Sequence, residues 1–212
     1  MQKTLLIPIV ILLSFAAISN VGCIPLLVQR EFKSISFYKS DEYNNTGVHR
    51  VLLVPFTFET NREKVINEVT EAFSIELQKS AKFDIVLPRG FPEELLLQND
   101  LWGKGLVRAE TVIEAKKRFK VDAIIFGTIT HYKPYEPPIL GMKVGMFSTV
   151  TGNVIWTADT ILDSSEATVV RLVKTYYRTN YQRKQSLYGW KIILLSMKRY
   201  AQFVAHQVIA TL

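Results

Sequence analysis

Apolar and polar positions along this chain switch between a period of two and a period of about three and a half, and the switches mark its elements. Val51-Leu52-Leu53-Val54-Pro55-Phe56 is apolar on both faces and predicts a buried strand that ends near Pro55. Thr60-Asn61-Arg62-Glu63 has the spacing of a capping box, with Thr60 as N-cap and Glu63 reaching back to it. The helix it opens carries Val65, Val69, Phe73 and Leu77 as one stripe, with Ala72, Glu76 and Ser80 also at helical spacing. Phe83–Leu87 predicts a short strand stopped by Pro88-Arg89-Gly90. A helical turn from Pro92 to Leu97 and a loop at Trp102–Gly105 follow. A second helix spans Arg108–Arg118, with Ala109, Val112, Ile113 and Phe119 turned inward. Lys116, Lys117, Arg118 and Lys120 gather at its C-terminal end, where cations complement the helix dipole.

Val121–Thr130 is almost continuously apolar and predicts a strand covered on both faces. After a loop over Tyr132–Pro138, Leu140, Met142, Val144 and Met146 alternate with Gly141, Lys143, Gly145 and Phe147, which predicts one buried face and one freer face. Thr151-Gly152-Asn153 is a turn, and Val154, Trp156, Ala158, Thr160 and Leu162 resume the alternation, completing a β-hairpin. Ser164–Lys184 predicts a helix with Val169, Leu172, Val173, Tyr176 and Tyr177 on its apolar side. After the short apolar run Ile192–Leu195, Ser196 caps a final helix with the stripe Met197, Tyr200, Ala201, Val204, Val208 and Leu212, expected to pack on the sheet. The order β-α-β-α-β followed by a hairpin implies an α/β (α+β) fold. Its mixed sheet has a parallel centre and an antiparallel hairpin at the edge, with helices packed on it.

The N-terminus changes the picture from a bare domain to an exported one. Lys3 precedes an apolar stretch from Leu5 to Ile18, interrupted only by Pro8 and Ser14, and Ser19-Asn20-Val21-Gly22-Cys23 follows. One positive charge, an apolar run too short to span a bilayer and small residues before a cut site predict a secretory signal peptide. Val21-Gly22-Cys23 resembles the lipobox of bacterial lipoproteins, although Asn20 stands where Leu is usual. The resemblance implies cleavage before Cys23, the only cysteine, and a lipid on its sulfur. The alternative is an uncleaved anchor extending to Leu27. Ile24 after the cysteine, rather than Asp, resembles lipoproteins sorted to the outer membrane, facing the periplasm. The expected organisation is a signal peptide over residues 1–22, a lipidated Cys and irregular tether over 23–48, a core over 49–162 and a helical segment over 163–212.

Charge adds a second asymmetry. The formal net charge is +7. Residues 23–162 balance seventeen basic against seventeen acidic side chains, while residues 163–212 hold eight basic side chains against Asp163 and Glu166. Tyr176, Tyr177, Tyr181, Tyr188 and Trp190 interleave there with Arg178, Arg183, Lys184 and Lys191. Such interleaving can serve nucleic acid. In an exported protein it fits an envelope protein partner or lipid headgroups, because these rings have an apolar body and a polar tip; a plain solvated helix face remains the bland alternative. Nucleic acid is therefore not an expected partner.

Little in the chain points to chemistry. His49, His131 and His206 are widely spaced, with no metal-like partner near them in sequence. Nucleophile-elbow, zinc-protease and phosphate-loop motifs are missing, and Gly103-x-Gly105 is only a fragment of a dinucleotide fingerprint. Asp122, at the head of a buried strand, reads as a turn cap rather than a catalyst. No cofactor or metal is expected, and the chain reads as a non-enzymatic binding module. The candidate partner-binding residues are Tyr132, Lys133, Tyr135 and Pro137 in the proline-rich loop, with Tyr177, Arg178, Tyr181, Arg183, Tyr188 and Trp190 farther on.

The strand Val51–Phe56, the strand Phe83–Val86, Asp122–Thr130 and the hairpin residues Thr151–Trp156 together resemble the curli-secretion channel (CsgG) superfamily. Within it the chain is similar to the small Lpo-type lipoproteins that activate penicillin-binding proteins. The resemblance covers about residues 49–162. It implies a domain like the N-terminal domain of TolB and a role in envelope assembly or secretion without catalysis. It leaves open a homo-oligomeric export complex of the curli-secretion type, although no added pair of long alternating strands is present to line a membrane barrel.

Overall fold

The computed structural model describes residues 35–45, 47–60, 62–88, 108–181 and 186–212. Cys23, Arg183, the expected turn at 92–97 and the Trp102–Gly105 loop lie outside the described residues. The elements are β1 (Ser36–Lys39), α1 (Asp41–Asn45), β2 (Arg50–Leu53), β3 (Thr57–Phe58), α2 (Glu63–Lys79), β4 (Asp84–Val86), α3 (Ala109–Phe119), β5 (Ala123–Lys133), β6 (Ile139–Ser148), β7 (Val154–Asp163), α4 (Ala167–Asn180), a 3-10 turn (Gly189–Ile193) and α5 (Met197–Ile209).

Seven strands form one mixed sheet in the order β1-β7-β6-β5-β2-β4, with β3 also on β5. β2 runs parallel to both β4 and β5, pairing Val51 with Ile85 and with Ala123. β5, β6 and β7 are antiparallel neighbours, with Ala123 opposite Ser148 and Lys133 opposite Ile139. The mixed α/β architecture is thus the one the pattern implies. The hairpin is not outermost, however. β1 pairs antiparallel with β7, Ser36 opposite Asp159 and Lys39 opposite Trp156. Residues 36–45, expected to be irregular, are a strand and a short helix strapped onto the domain. Glu42 receives hydrogen bonds from Thr151 and from Asn153 in the hairpin turn, and Lys39 bonds the Leu212 carbonyl.

One face of the sheet carries the larger core. Val51, Leu53, Ile125, Leu140, Met142, Val144, Met146, Trp156, Ala158 and Leu162 meet the stripe Val65, Val69, Phe73 and Leu77 of α2, with α4 and α5. The α5 stripe is buried as its spacing predicts, and Trp156 Nε1 donates to Thr211 Oγ1 at 3.1 Å. The other face is covered by α3 over Leu52, Val54, Ile124, Phe126 and Phe147. The expected freer face of β6 is therefore closed. Gly141, Gly145 and Phe147 are buried there and Lys143 alone of the four is exposed. The ring of Phe126 lies over Gly145, where a side chain has no room.

Three local expectations differ. Helix α2 begins at Glu63 with Arg62 as N-cap and no side-chain cap bond, so the Thr60–Glu63 capping box does not form. In α3 the buried residues are Thr111, Val112 and Ala115, while Ile113 is 64% exposed and Ala109 is also outside. Ser196 occupies the N-cap of α5, as expected, but makes no side-chain cap bond. Asp122 acts structurally. Its Oδ2 accepts the backbone N–H groups of His49 at 3.0 Å and Arg50 at 2.9 Å, tying the starts of β2 and β5 together.

Candidate partner-binding surface

Helix α4 forms because Val169, Val173 and Tyr176 recur on one side and bury against the core. That phase turns Arg178 outward and leaves Tyr177 half-buried. Tyr181 closes the helix by donating its N–H to the Tyr177 carbonyl, which brings the two rings into a parallel stack at 5.4 Å and 9°. Lys174 Nζ sits 4.8 Å from the ring centre of the half-buried Trp190, a cation–π contact. Leu187 is fully exposed, Tyr188 is 62% exposed and Leu195 is also outside. Tyr177 and Tyr181 therefore form a stacked pair at the end of α4 and Trp190 is held near that helix by Lys174, while Arg178 and Tyr188 are exposed.

The proline-rich candidate is smaller than its sequence suggested. Tyr132 and Lys133 belong to β5, opposite Leu140 and Ile139. Tyr132 packs beside Phe58 with ring centres 6.1 Å apart. Burial pushes its phenol up, Glu68 adds to the rise and Arg62 opposes it. The loop proper is Pro134–Pro138, with a cis Glu136–Pro137 bond; Tyr135 is 78% exposed at its tip and Pro137 is half-buried. The two candidates are not brought together. Ser164 N–H donates to the Pro138 carbonyl, so the loop sits where α4 starts, while the Tyr177–Tyr181 stack sits where α4 ends. At 1.5 Å per residue the helix separates them by about 15–20 Å.

A polar cluster that the sequence reading missed lies at the C-terminal ends of α2, α4 and α5. Glu76 is 2% exposed. It accepts hydrogen bonds from Tyr176 Oη at 3.1 Å and from Lys79, and His206 Nδ1 is 3.3 Å away. Burial works to raise the Glu76 carboxyl, but the bonds from His206, Lys79 and Tyr176 and the Lys79 charge outweigh it and hold the carboxyl below its usual range. Burial, with the Glu76 and Tyr181 charges, pushes the Tyr176 phenol far up, so it stays a donor. A cleft of about 300 Å³ opens beside this cluster, lined in part by Lys79, Lys82, Asn180 and His206. His206 thus has a carboxylate partner that its sequence neighbourhood did not show. The signal available was a Glu placed on the apolar stripe of α2. Each polar atom of Glu76 has a partner, so the cluster ties three helices together. No group of three or more metal-ligating side chains occurs among the described residues.

Fold and surface together define a mixed α/β domain with helices on both faces of its sheet and an aromatic–basic segment in its C-terminal half. No family model and no curated protein matches the sequence. Among solved structures, the chain is similar to the hypothetical protein CT253 from Chlamydia trachomatis, at 16% identity over 77% of this chain and 94% of that one, with a TM-score of 0.48. It is also similar to the PelC dodecamer subunit from Paraburkholderia phytofirmans (11% identity, 65% and 87% covered, TM-score 0.40). A third is the lipoprotein GNA1162 from Neisseria meningitidis (14% identity, 65% and 99% covered, TM-score 0.38). Likeness at this level describes a partly shared chain path, and no function is carried over from it.

Proposed function

We propose that this chain is a lipid-anchored envelope protein that works by binding and assembly rather than by catalysis. On this reading Cys23 carries the lipid, the domain faces the periplasm from the outer membrane, and a protein partner docks on the strip from Tyr177 to Trp190. The observation that carries the binding role is the exposure of Leu187 and Tyr188 in the segment that follows the stacked Tyr177 and Tyr181 and leads into Trp190. Large aromatic anchors next to an Arg are the residue types that dominate binding energy at interfaces. The saturated Glu76 cluster supports a structural use for the most perturbed ionisable groups.

A photo-crosslinking residue placed at Tyr188 in the full chain, in cells, tests the docking role. The expected outcome is one discrete crosslinked envelope protein, lost in Tyr177→Ala. A smear that is unchanged in that variant would sink it. Labelling with a fatty-acid analogue tests the anchor separately, with label expected on the native chain and absent from Cys23→Ser.

A further inference from the structure

The C-terminal quarter of the chain holds positive charge that the fold offsets only in part. Residues 167–212 contain eight Lys and Arg and no Asp or Glu. Three of the eight, Arg171, Lys174 and Arg178, stand at i, i+3 and i+7 of α4, so they line one side of the helix as a ridge about 10 Å long. Like charges three and four positions apart on a helix repel and weaken it. Arg178, in the last turn, complements the helix dipole, but Arg171 and Lys174 lie nearer the middle, where the dipole offers them nothing. Other basic groups in this region are answered within the fold. Lys198 of α5 pairs with Glu71 of α2 at 2.9 Å, Lys174 sits on the Trp190 ring, and Arg171 also has a partner. Arg178 and Lys191, the residue after Trp190, are exposed and make no ion pair among the described residues. We infer that the protein partner proposed above docks through an acidic segment, whose carboxylates pair with Arg178 and Lys191 along this side of α4. The inference rests on the docking role proposed above and names the chemistry of the partner.

The aromatic groups beside these charges favour a protein over a bilayer surface. Tyr177 and Tyr181 are stacked on each other and Trp190 lies against Lys174, all three half-buried. Rings held in this way are not free to sink into a headgroup layer, whereas a segment laid along α4 covers them where they stand. The charges themselves set the pattern the segment must match. Successive basic positions on the ridge are about 5 Å apart along the helix axis, the spacing of carboxylates three or four positions apart on a partner helix. A guanidinium takes a carboxylate through two parallel hydrogen bonds, so Arg178 supplies geometry as well as charge. With Arg171 and Lys174 on the same side, the positive field extends over two turns and steers a negative segment into line with the helix.

Thr175 is exposed between Arg171 and Arg178, and a photo-crosslinking residue there, in the full chain in cells, reads what covers the ridge. The expected product is one protein whose crosslinked peptide, mapped by mass spectrometry, is rich in Asp and Glu. Its yield should fall about fivefold or more in the Arg178→Glu, Lys191→Glu double variant and persist in Arg178→Lys with Lys191→Arg. Circular dichroism confirms the fold of each variant. In vitro, the detergent-solubilised full chain is titrated with a fluorescein-labelled helical peptide of Ala and Glu, with Glu at every fourth position, and with the same peptide carrying Gln instead. The Glu peptide should bind about tenfold more tightly at low salt, and the preference should shrink as salt is raised. A crosslink that survives charge reversal undiminished, a crosslinked peptide without acidic residues, or equal affinity for the two peptides overturns the acidic pairing, while a crosslink from Tyr188 leaves the docking role standing. Displacement of the Glu peptide by dihexanoyl phosphatidylglycerol, with lipid rather than protein captured at position 175, assigns the ridge to headgroups and also overturns it. If neither position 175 nor 188 captures a protein, the docking role falls and the acidic pairing falls with it.

Discussion

Replacing Tyr176 by Phe removes one hydrogen bond and almost nothing else. The ring stays, and with it the contacts to Phe203 at 5.6 Å, His206 at 4.9 Å and Tyr181 at 6.2 Å. What is lost is the 3.1 Å bond from the phenol to Glu76, a carboxylate only 2% exposed. A bond to a charged group in a buried setting contributes about 1.5–3 kcal/mol. Glu76 keeps Lys79 and His206, so the lower half of that range is expected, about 2 kcal/mol. For a domain of this size that corresponds to a fall in Tm of roughly 4–8 °C. Thermal unfolding of the detergent-solubilised full chain, followed by tryptophan fluorescence, measures it at neutral pH. A double-mutant cycle makes the reasoning refutable. In a Glu76→Ala background the phenol has already lost its acceptor, so Tyr176→Phe should cost nothing or recover some stability. If Tyr176→Phe costs the same in both backgrounds, the phenol and carboxylate are not coupled and the three-helix tie is not what the geometry says it is.

Two further outcomes follow from the same packing. The Glu76 carboxyl has a folded pKa below its ordinary value of 4.5, so its stabilising contribution is present above that value and is lost as pH falls through the lower folded one; unfolding curves of the native chain should therefore drop more on acidification below about pH 4.5 than those of Glu76→Gln. On the same face of the sheet, a methyl group on Gly127 would lie 2.5 Å from Cζ of Phe56, so Gly127→Ala should cost about 1–3 kcal/mol in denaturant unfolding, and adding Phe56→Leu should recover part of that loss rather than add to it.

The elements legible in the sequence were those whose state is set by burial of their own residues. β2 and β5 are apolar on both faces, and both faces are covered. The stripes of α2 and α5 bury as their spacing requires because each faces a broad apolar sheet. The misses were set by something distant or by a local tie. β1 reads Ser-Phe-Tyr-Lys, with Phe37 and Tyr38 more than half exposed; its strand state comes from hydrogen bonds to β7, more than a hundred residues away. α3 offered two phases of similar apolarity. The one through Ile113 also carries Lys116 and Lys117 one turn on, and those charges set which side meets water. The Thr60–Glu63 spacing satisfied the capping rule, yet Glu59 and Thr60 turn the chain out of β3, and the helix starts at Glu63, two residues later than that cap implies, without a side-chain cap. Glu76 and His206 are 130 positions apart, so only the oddity of a carboxylate on an apolar stripe could have signalled their pairing.

The separation of the two surface candidates has a consequence for how they are used. Read in sequence, the Tyr132–Pro138 loop and the tyrosine-rich segment could have formed one interface. In the fold the first lies at the strand ends beside the start of α4, and the Tyr177–Tyr181 stack closes that helix at its other end. A single partner of ordinary interface size, about 800 Å² on each side, can reach across 15–20 Å and cover both, whereas a smaller one covers only the surface at the end of α4. The docking surface proposed above is the second of the two, so Tyr135→Ser should leave crosslinking from Tyr188 unchanged, whereas Tyr177→Ala should abolish it. A Tyr135→Ser variant that abolishes crosslinking from Tyr188 would mean that both surfaces serve one partner.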